Sequence, residues 1–199
     1  TIESRKKDKI NFEGERPYYI PRISYAKGAN ALIIQTLNRH QNDLKVWRWN
    51  SKENTLQLIL EEKEETYVSI HDNLKFLEDG SFLWTSEKDG FNHIYKINMS
   101  TGEETQLTSG NWEVTSVYGM NEKSKSIYFQ AAKDHPTKRE VYYLSKKGAV
   151  NKLSTKSGNN RAEFSKGFKY YLHWNTDANT PAHVTLNSAK GKEIKVLED

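Results

Sequence analysis

HIYKINMSTGEETQLTS, residues 93–109, reads as a β-strand, a polar reversal and a second, shorter strand. His93, Tyr95 and Ile97 alternate along the first strand, and the hydrophobic–Asn pair Ile97-Asn98 closes it. Three other segments share the plan: LKVWRWNSKENTLQLIL (44–60), EVYYLSKKGAVNKLS (140–154) and HVTLNSAKGKEIKVLE (183–198). Their closing pairs are Trp49-Asn50, Leu144-Ser145 and Leu186-Asn187, so the first members of the four pairs lie 48, 47 and 42 positions apart. A strand pair recurring at that period is an internal repeat, and it organises the whole chain.

A second hairpin precedes each segment. RISYA and ALIIQTL flank a turn containing Gly28; LKFL and FLWTSE flank Asp79-Gly80; SVYGM and SIYFQAA flank a Lys/Ser turn; AEFS and KYYLHWN flank Gly167. Gly and Asp-Gly supply the positive φ that tight hairpins need. Each repeat is therefore four short strands in a meander, rich in aromatic and β-branched residues. No stretch sustains the i, i+3, i+4 apolar spacing of a helix. Four antiparallel strands every 40–50 residues indicate all-β propeller blades. The expected fold is a β-propeller fragment of about four four-stranded blades, at roughly 17–62, 63–111, 112–157 and 158–199, after a charged N-terminal remnant at 1–16.

Apolar runs such as ALII and YYL suit inner strands covered on both faces. The outermost strand, ETQLTS in the second repeat, is polar as an edge should be. Four blades in an open array leave two apolar blade faces without neighbours. The chain is thus expected to close on itself, to self-associate, or to form part of a larger ring.

Composition narrows the function. Charged residues make up 28% of the 199, and apolar ones 35%, while aromatics at 12% argue against disorder. No stretch approaches the roughly 20 consecutive apolar residues of a membrane-spanning helix. The net charge of +4 is spread among interleaved acids, as in EEKEET (61–66) and NEKSKS (121–126). No basic stripe alternates with stacking aromatics, so nucleic acid is not an expected partner. With no cysteine, disulfides and thiol chemistry are excluded.

The search for catalysis finds little. There is no Gly-x-Ser-x-Gly elbow, Walker loop or GxGxxG. The six histidines (His40, His71, His93, His135, His173, His183) show neither HExxH nor His-x-His spacing, so no metal or other cofactor is expected. Glu61-Glu62, Glu64-Glu65 and Glu103-Glu104 sit in charged linkers or turns, whereas a glycosidase holds two carboxyls about 5–9 Å apart in a desolvated cleft. SEKDGFNHIY (86–95) brings Ser86, Asp89 and His93 close in sequence, but Lys88-Asp89-Gly90 reads as a reversal between strands. His93 is expected to hydrogen-bond on a packed face. No residue is assigned a catalytic role.

FLEDGSFLWTSEKDGFNHIY (76–95), followed by QLTSGNWEVTSVYG (106–119), resembles the propeller of the dipeptidyl peptidase IV family in the prolyl oligopeptidase clan. YYIPRISYA (18–26) and LNRHQN (37–42) match the same family in the same order, and KVLED resembles the hand-over to its catalytic domain. The resemblance runs from about Pro17 to Asp199. It implies the C-terminal half of an eight-bladed propeller joined to an α/β-hydrolase domain that removes Xaa-Pro or Xaa-Ala dipeptides from peptide N-termini. On that reading the Ser-Asp-His triad and the glutamate pair that grips the substrate amino group lie outside this chain. It also implies a secreted or periplasmic location, a peptide substrate, and the rest of the propeller and the hydrolase domain as partners. The loop YVSIHDNL (67–74) then corresponds to the outer substrate cleft, where family members often carry Trp at the position of Tyr67. Tyr67, His71 and Asp72 are the substrate-lining candidates. The alternative is an independent propeller scaffold that binds peptides or protein partners.

Overall fold

The computed structural model describes residues 9–12 and 16–198, so most of the charged remnant at 1–16 lies outside the described residues. The described residues form sixteen strands in four antiparallel sheets. The first sheet holds β1 (Tyr19–Ala26), β2 (Ala31–Leu37), β3 (Asp43–Asn50) and β4 (Thr55–Lys63). The second holds β5 (Lys75–Phe76), β6 (Ser81–Ser86), β7 (His93–Asn98) and β8 (Glu104–Gln106). The third holds β9 (Val114–Asn121), β10 (Ser126–Ala131), β11 (Glu140–Leu144) and β12 (Val150–Lys152). The fourth holds β13 (Asn159–Phe164), β14 (Tyr170–Thr176), β15 (His183–Ser188) and β16 (Glu193–Glu198). In every sheet the spatial order follows the sequence order, which is the meander expected of a propeller blade.

Burial follows strand position. All six residues of β6 are buried and β2 is nearly so, whereas β8 and β16 are exposed throughout. Middle strands are covered on both faces and edges are left polar or wet, which blunts further pairing.

The reversals confirm most of the turn chemistry and correct two details. Gly80 has φ +79°, as a tight hairpin requires. In the first hairpin, however, Gly28 sits in a 3-10 turn, and Asn30 carries the left-handed conformation at φ 47°. Asparagine tolerates that region because its side chain bonds locally, here accepting from the Tyr25 hydroxyl at 2.7 Å. In the reversals after β3, β7 and β11, the residue closing each pair caps the turn. Asn50 accepts from the Lys52 N–H (3.0 Å), Asn98 from Ser100 (2.8 Å), and the Ser145 hydroxyl from Ala149 (3.1 Å). In the fourth repeat the capping residue is Ser188, which accepts from the Lys192 N–H at 3.2 Å, so the true pair is Asn187-Ser188. Asn187 is instead buried and donates to Thr185 (2.6 Å). Register irregularities between β15 and β16 at Val184/Thr185 and Leu186/Asn187 accompany this one-residue offset.

The chain divides into two compact units. One comprises the described residues up to His71 with Glu78–Ser81 and Ile97–Glu104; the other comprises Asp72–Leu77, Phe82–Lys96 and the described residues from Thr105 onward. In the first unit, opposed residues share a face, giving the ladders Ile23–Ile34–Trp47–Leu58 and Tyr25–Leu32–Trp49–Leu56. Ile23 is 60% exposed, Tyr25 56% and Leu58 41%, so the edge-strand members of this apolar face are open, whereas Ile34 is buried and Phe12 packs on Trp47.

In the second unit, β10 serves two cores because its side chains alternate. Ile127, Phe129 and Ala131 join Leu83, Ile94, Val114 and Tyr142 in one cluster. Tyr128 enters another with Val141, Leu153, Ala162 and Tyr171. Phe129 stacks on Trp112 (centroids 6.1 Å) and Tyr142 (5.7 Å); Tyr128 stacks on Phe168 (5.2 Å). Polar staples reinforce these contacts. Asn73 donates to Thr85 (3.1 Å) and accepts from the Val117 N–H (2.9 Å), while Tyr118 accepts from the Ala162 N–H (3.1 Å). Burial pushes the Tyr118 phenol up to about 12, so it stays protonated.

Candidate functional site

Ser86, Asp89 and His93 do not converge. The Ser86 hydroxyl accepts from the Lys88 N–H at 3.3 Å, and Gly90, at φ +99°, completes the reversal by donating to the Glu87 carbonyl (2.8 Å). Asp89 accepts a short hydrogen bond from the Gln106 amide. His93 is fully buried. Its Nε2 lies 2.9 Å from the Gly110 carbonyl, which can only accept, so that nitrogen donates. Nδ1 then meets the Thr108 hydroxyl at 3.1 Å, and that same oxygen accepts from the Ile94 N–H at 2.9 Å. The ring also abuts Trp112 edge-on, with centroids 4.9 Å apart. His93 thus ties its strand to the TSGNW loop (108–112), a structural task as expected from the alternation. At Gly110 (φ +122°) an added Cβ would lie 2.7 Å from Trp112 Nε1, so glycine lets the indole close over the histidine.

The glutamate pairs remain surface groups. Glu61 binds Lys63 at 2.9 Å and Lys45 at 3.4 Å, and these hydrogen bonds, Lys63 foremost, hold its carboxyl below the usual value. Glu64, Glu65, Glu103 and Glu104 are exposed. No group of three or more His, Cys, Asp or Glu side chains able to hold a metal ion occurs among the described residues.

The loop at 67–74 has no strand structure, yet it is pinned at separate points. Val68 is buried and donates its N–H to the Gln41 carbonyl (2.9 Å) in the first unit. Asn73 is buried and fixed by Thr85 and Val117 in the second. In the first unit Tyr67, just before Val68, is 51% exposed and His71 is half-buried; in the second, Asp72 is exposed and its carbonyl accepts from Lys75 Nζ at 3.2 Å.

One polar cluster escaped the sequence reading. Glu140, 1% exposed, accepts from the Ser154 hydroxyl (2.5 Å) and the Asn160 amide (3.0 Å) and faces Lys152 Nζ at 3.3 Å. Lys152 also binds Asp134 (2.9 Å). On its other side, Asn160 Oδ1 accepts from His173 Nε2 (2.9 Å) and Asn175 (3.0 Å). Burial first, then the nearby positive charges of His183 and Lys156, lower the His173 pKa to about 4. Most of its polar atoms bond to one another, and Glu140 Oε1 is left with the Lys152 ion pair alone, so the cluster joins β11 to β13 and β14. The only local signal was the alternation in NNRAEF (159–164), where Asn160 falls on the same side as Ala162.

Residues 1–182 match the family model described as the dipeptidyl peptidase IV (DPP IV) N-terminal region. The chain belongs to that family. It is 30% identical to dipeptidyl peptidase 4 of Arthroderma otae over 182 residues, covering 84% of this chain and 23% of that protein. It is 28% identical over 148 residues to the inactive dipeptidyl peptidase 10 of Mus musculus, covering 69% and 18% respectively. Among solved structures, the dipeptidyl peptidase 4 of Porphyromonas gingivalis superposes with a TM-score of 0.90 at 37% identity, covering all of this chain and 28% of that one. The DPP IV propeller region therefore accounts for the whole fold, and the chain spans under a third of the length of these relatives.

Proposed function

We propose that this DPP IV propeller region is the non-catalytic half-propeller of a serine exopeptidase that removes Xaa-Pro or Xaa-Ala dipeptides. In that protein it walls the active site, restricts access to short unfolded peptides, and supports an α/β-hydrolase domain in the secreted or periplasmic space. The supporting observation is the family match across residues 1–182 in a chain spanning only 23–28% of its peptidase relatives. The open edge-strand residues Ile23, Tyr25 and Leu58 fit the same reading, since an apolar blade face needs a neighbouring blade. The test is hydrolysis of a Gly-Pro chromogenic substrate by the full-length protein and by this chain alone. Activity is expected from the first and none from the second; turnover that copurifies with the chain alone would overturn the proposal.

Tyr67, His71 and Asp72 face the cavity between propeller and hydrolase in this reading. Alanine at all three in the full-length enzyme should lower kcat/KM by about fivefold to tenfold, consistent with ~1–1.4 kcal/mol of lost transition-state contact. The loss should grow from dipeptide-based substrates to longer peptides. Unchanged kcat/KM at every peptide length would remove these residues from the cleft.

A further inference from the structure

The lysines that look dispersed in the sequence are sorted by the meander in the second unit. Because strands alternate in direction, the β9–β10 and β11–β12 turns share one end of the third sheet, as do the β13–β14 and β15–β16 turns in the fourth. Those turns contain EKSK (122–125), KKGA (146–149), KGFK (166–169) and AKGK (189–192), two lysines in each. All eight lysines are exposed. The only acid in these turns, Glu122, is bound to Lys125 at 2.6 Å. This one end therefore carries more positive charge than the +4 of the entire chain. At the opposite strand ends, the loops of the same unit hold five cations against six acids.

The turns are contiguous. Asn121 donates to the Gly167 carbonyl (3.3 Å), joining the first turn to the third. The Ala189 N–H donates to the Lys169 carbonyl (3.0 Å), joining the third to the fourth. Leu144, next to the second turn, pairs with Ile127 at the foot of the first.

We propose that this lysine rim is an interaction surface for an anionic lipid membrane. The rim is made of the tips of four short turns. They contain no arginine, whose planar fork suits bidentate phosphate recognition in nucleic acids, whereas lysines act as point charges on a diffuse negative surface.

The test is co-sedimentation of the full-length protein with phosphatidylcholine vesicles containing about one-third phosphatidylglycerol, at low and high salt. Binding should be absent on pure phosphatidylcholine and fall as salt rises. Lys146→Glu, Lys147→Glu and Lys192→Glu together should weaken it at least about tenfold. A charge-matched control at the opposite end, Lys133→Glu with Lys138→Glu and Lys156→Glu, should change it less than about twofold. If charge reversal lowers the melting temperature, the same rim positions as glutamine serve in its place. Equal losses in the two triples, no preference for phosphatidylglycerol, or binding only to polyglutamate or duplex DNA would overturn the proposal. Peptidase activity is read separately, so failure of one idea does not carry the other with it.

Discussion

Phe129→Ala should destabilise the second unit by about 3–5 kcal/mol, the usual cost of emptying a buried phenylalanine site. The ring is fully buried and stacked between Trp112 and Tyr142, at interplanar angles of 18° and 22°. Rigid aromatic neighbours on both sides limit how far the site can collapse, which places the cost toward the upper part of that range. Trp112 also covers His93, so loosening it should expose the Thr108–His93–Gly110 bonds to water. Urea unfolding followed by tryptophan fluorescence measures the effect. A shift smaller than about 1 kcal/mol would show that the site collapses around the missing ring and that the stack is not rigid.

Acid should weaken the same unit through His173, by on the order of 2 kcal/mol after discounting for partial solvent screening. Its pKa is depressed from 6.5 to about 4, so between those values the unfolded chain binds a proton that the folded chain refuses. Stability contributed by the neutral imidazole is therefore complete above pH 6.5 and is lost as pH falls toward 4. Buried charge is refused because the ring is wedged against Asn160, with His183 and Lys156 adding repulsion. The other ionisable groups of the cluster are Glu140, Lys152 and Asp134; ion pairing with Lys152 holds the Asp134 carboxyl below its ordinary value, outside this window. His173→Gln can keep a donor to Asn160 while removing the titration. Its unfolding free energy should change less between pH 6.5 and 4 than that of the parent. Parallel pH profiles for the two proteins would exclude His173 as the source.

Much of this protein was legible because its chemistry is local. The Gly80 turn, the caps at Asn50, Asn98 and Ser145, and the alternation that buries His93 depend on neighbours within a few residues. The offset at Ser188 was missed because a register irregularity between β15 and β16 is invisible to residue spacing. The Asn160 cluster was missed for a different reason: Asp134, Glu140, Ser154, Asn160, His173 and Asn175 meet only after strands of two sheets pack together. No periodicity distinguishes such a buried polar contact from a solvated one. The loop residues Tyr67, His71 and Asp72 came from family resemblance rather than from any pattern of their own.

By itself the sequence determined the four-strand repeat, the family and the absence of a local catalytic motif, because hairpins are specified by turn residues and alternation at short range. Only the tertiary structure decided which polar groups are saturated and where the lysines gather. Interleaved charges that cancel along the chain are separated in space once successive turns are carried to one end of the strands. The same holds for SEKDGFNHIY: its order identified the family, but the packing of Thr108, Gly110 and Trp112 fixed what His93 does.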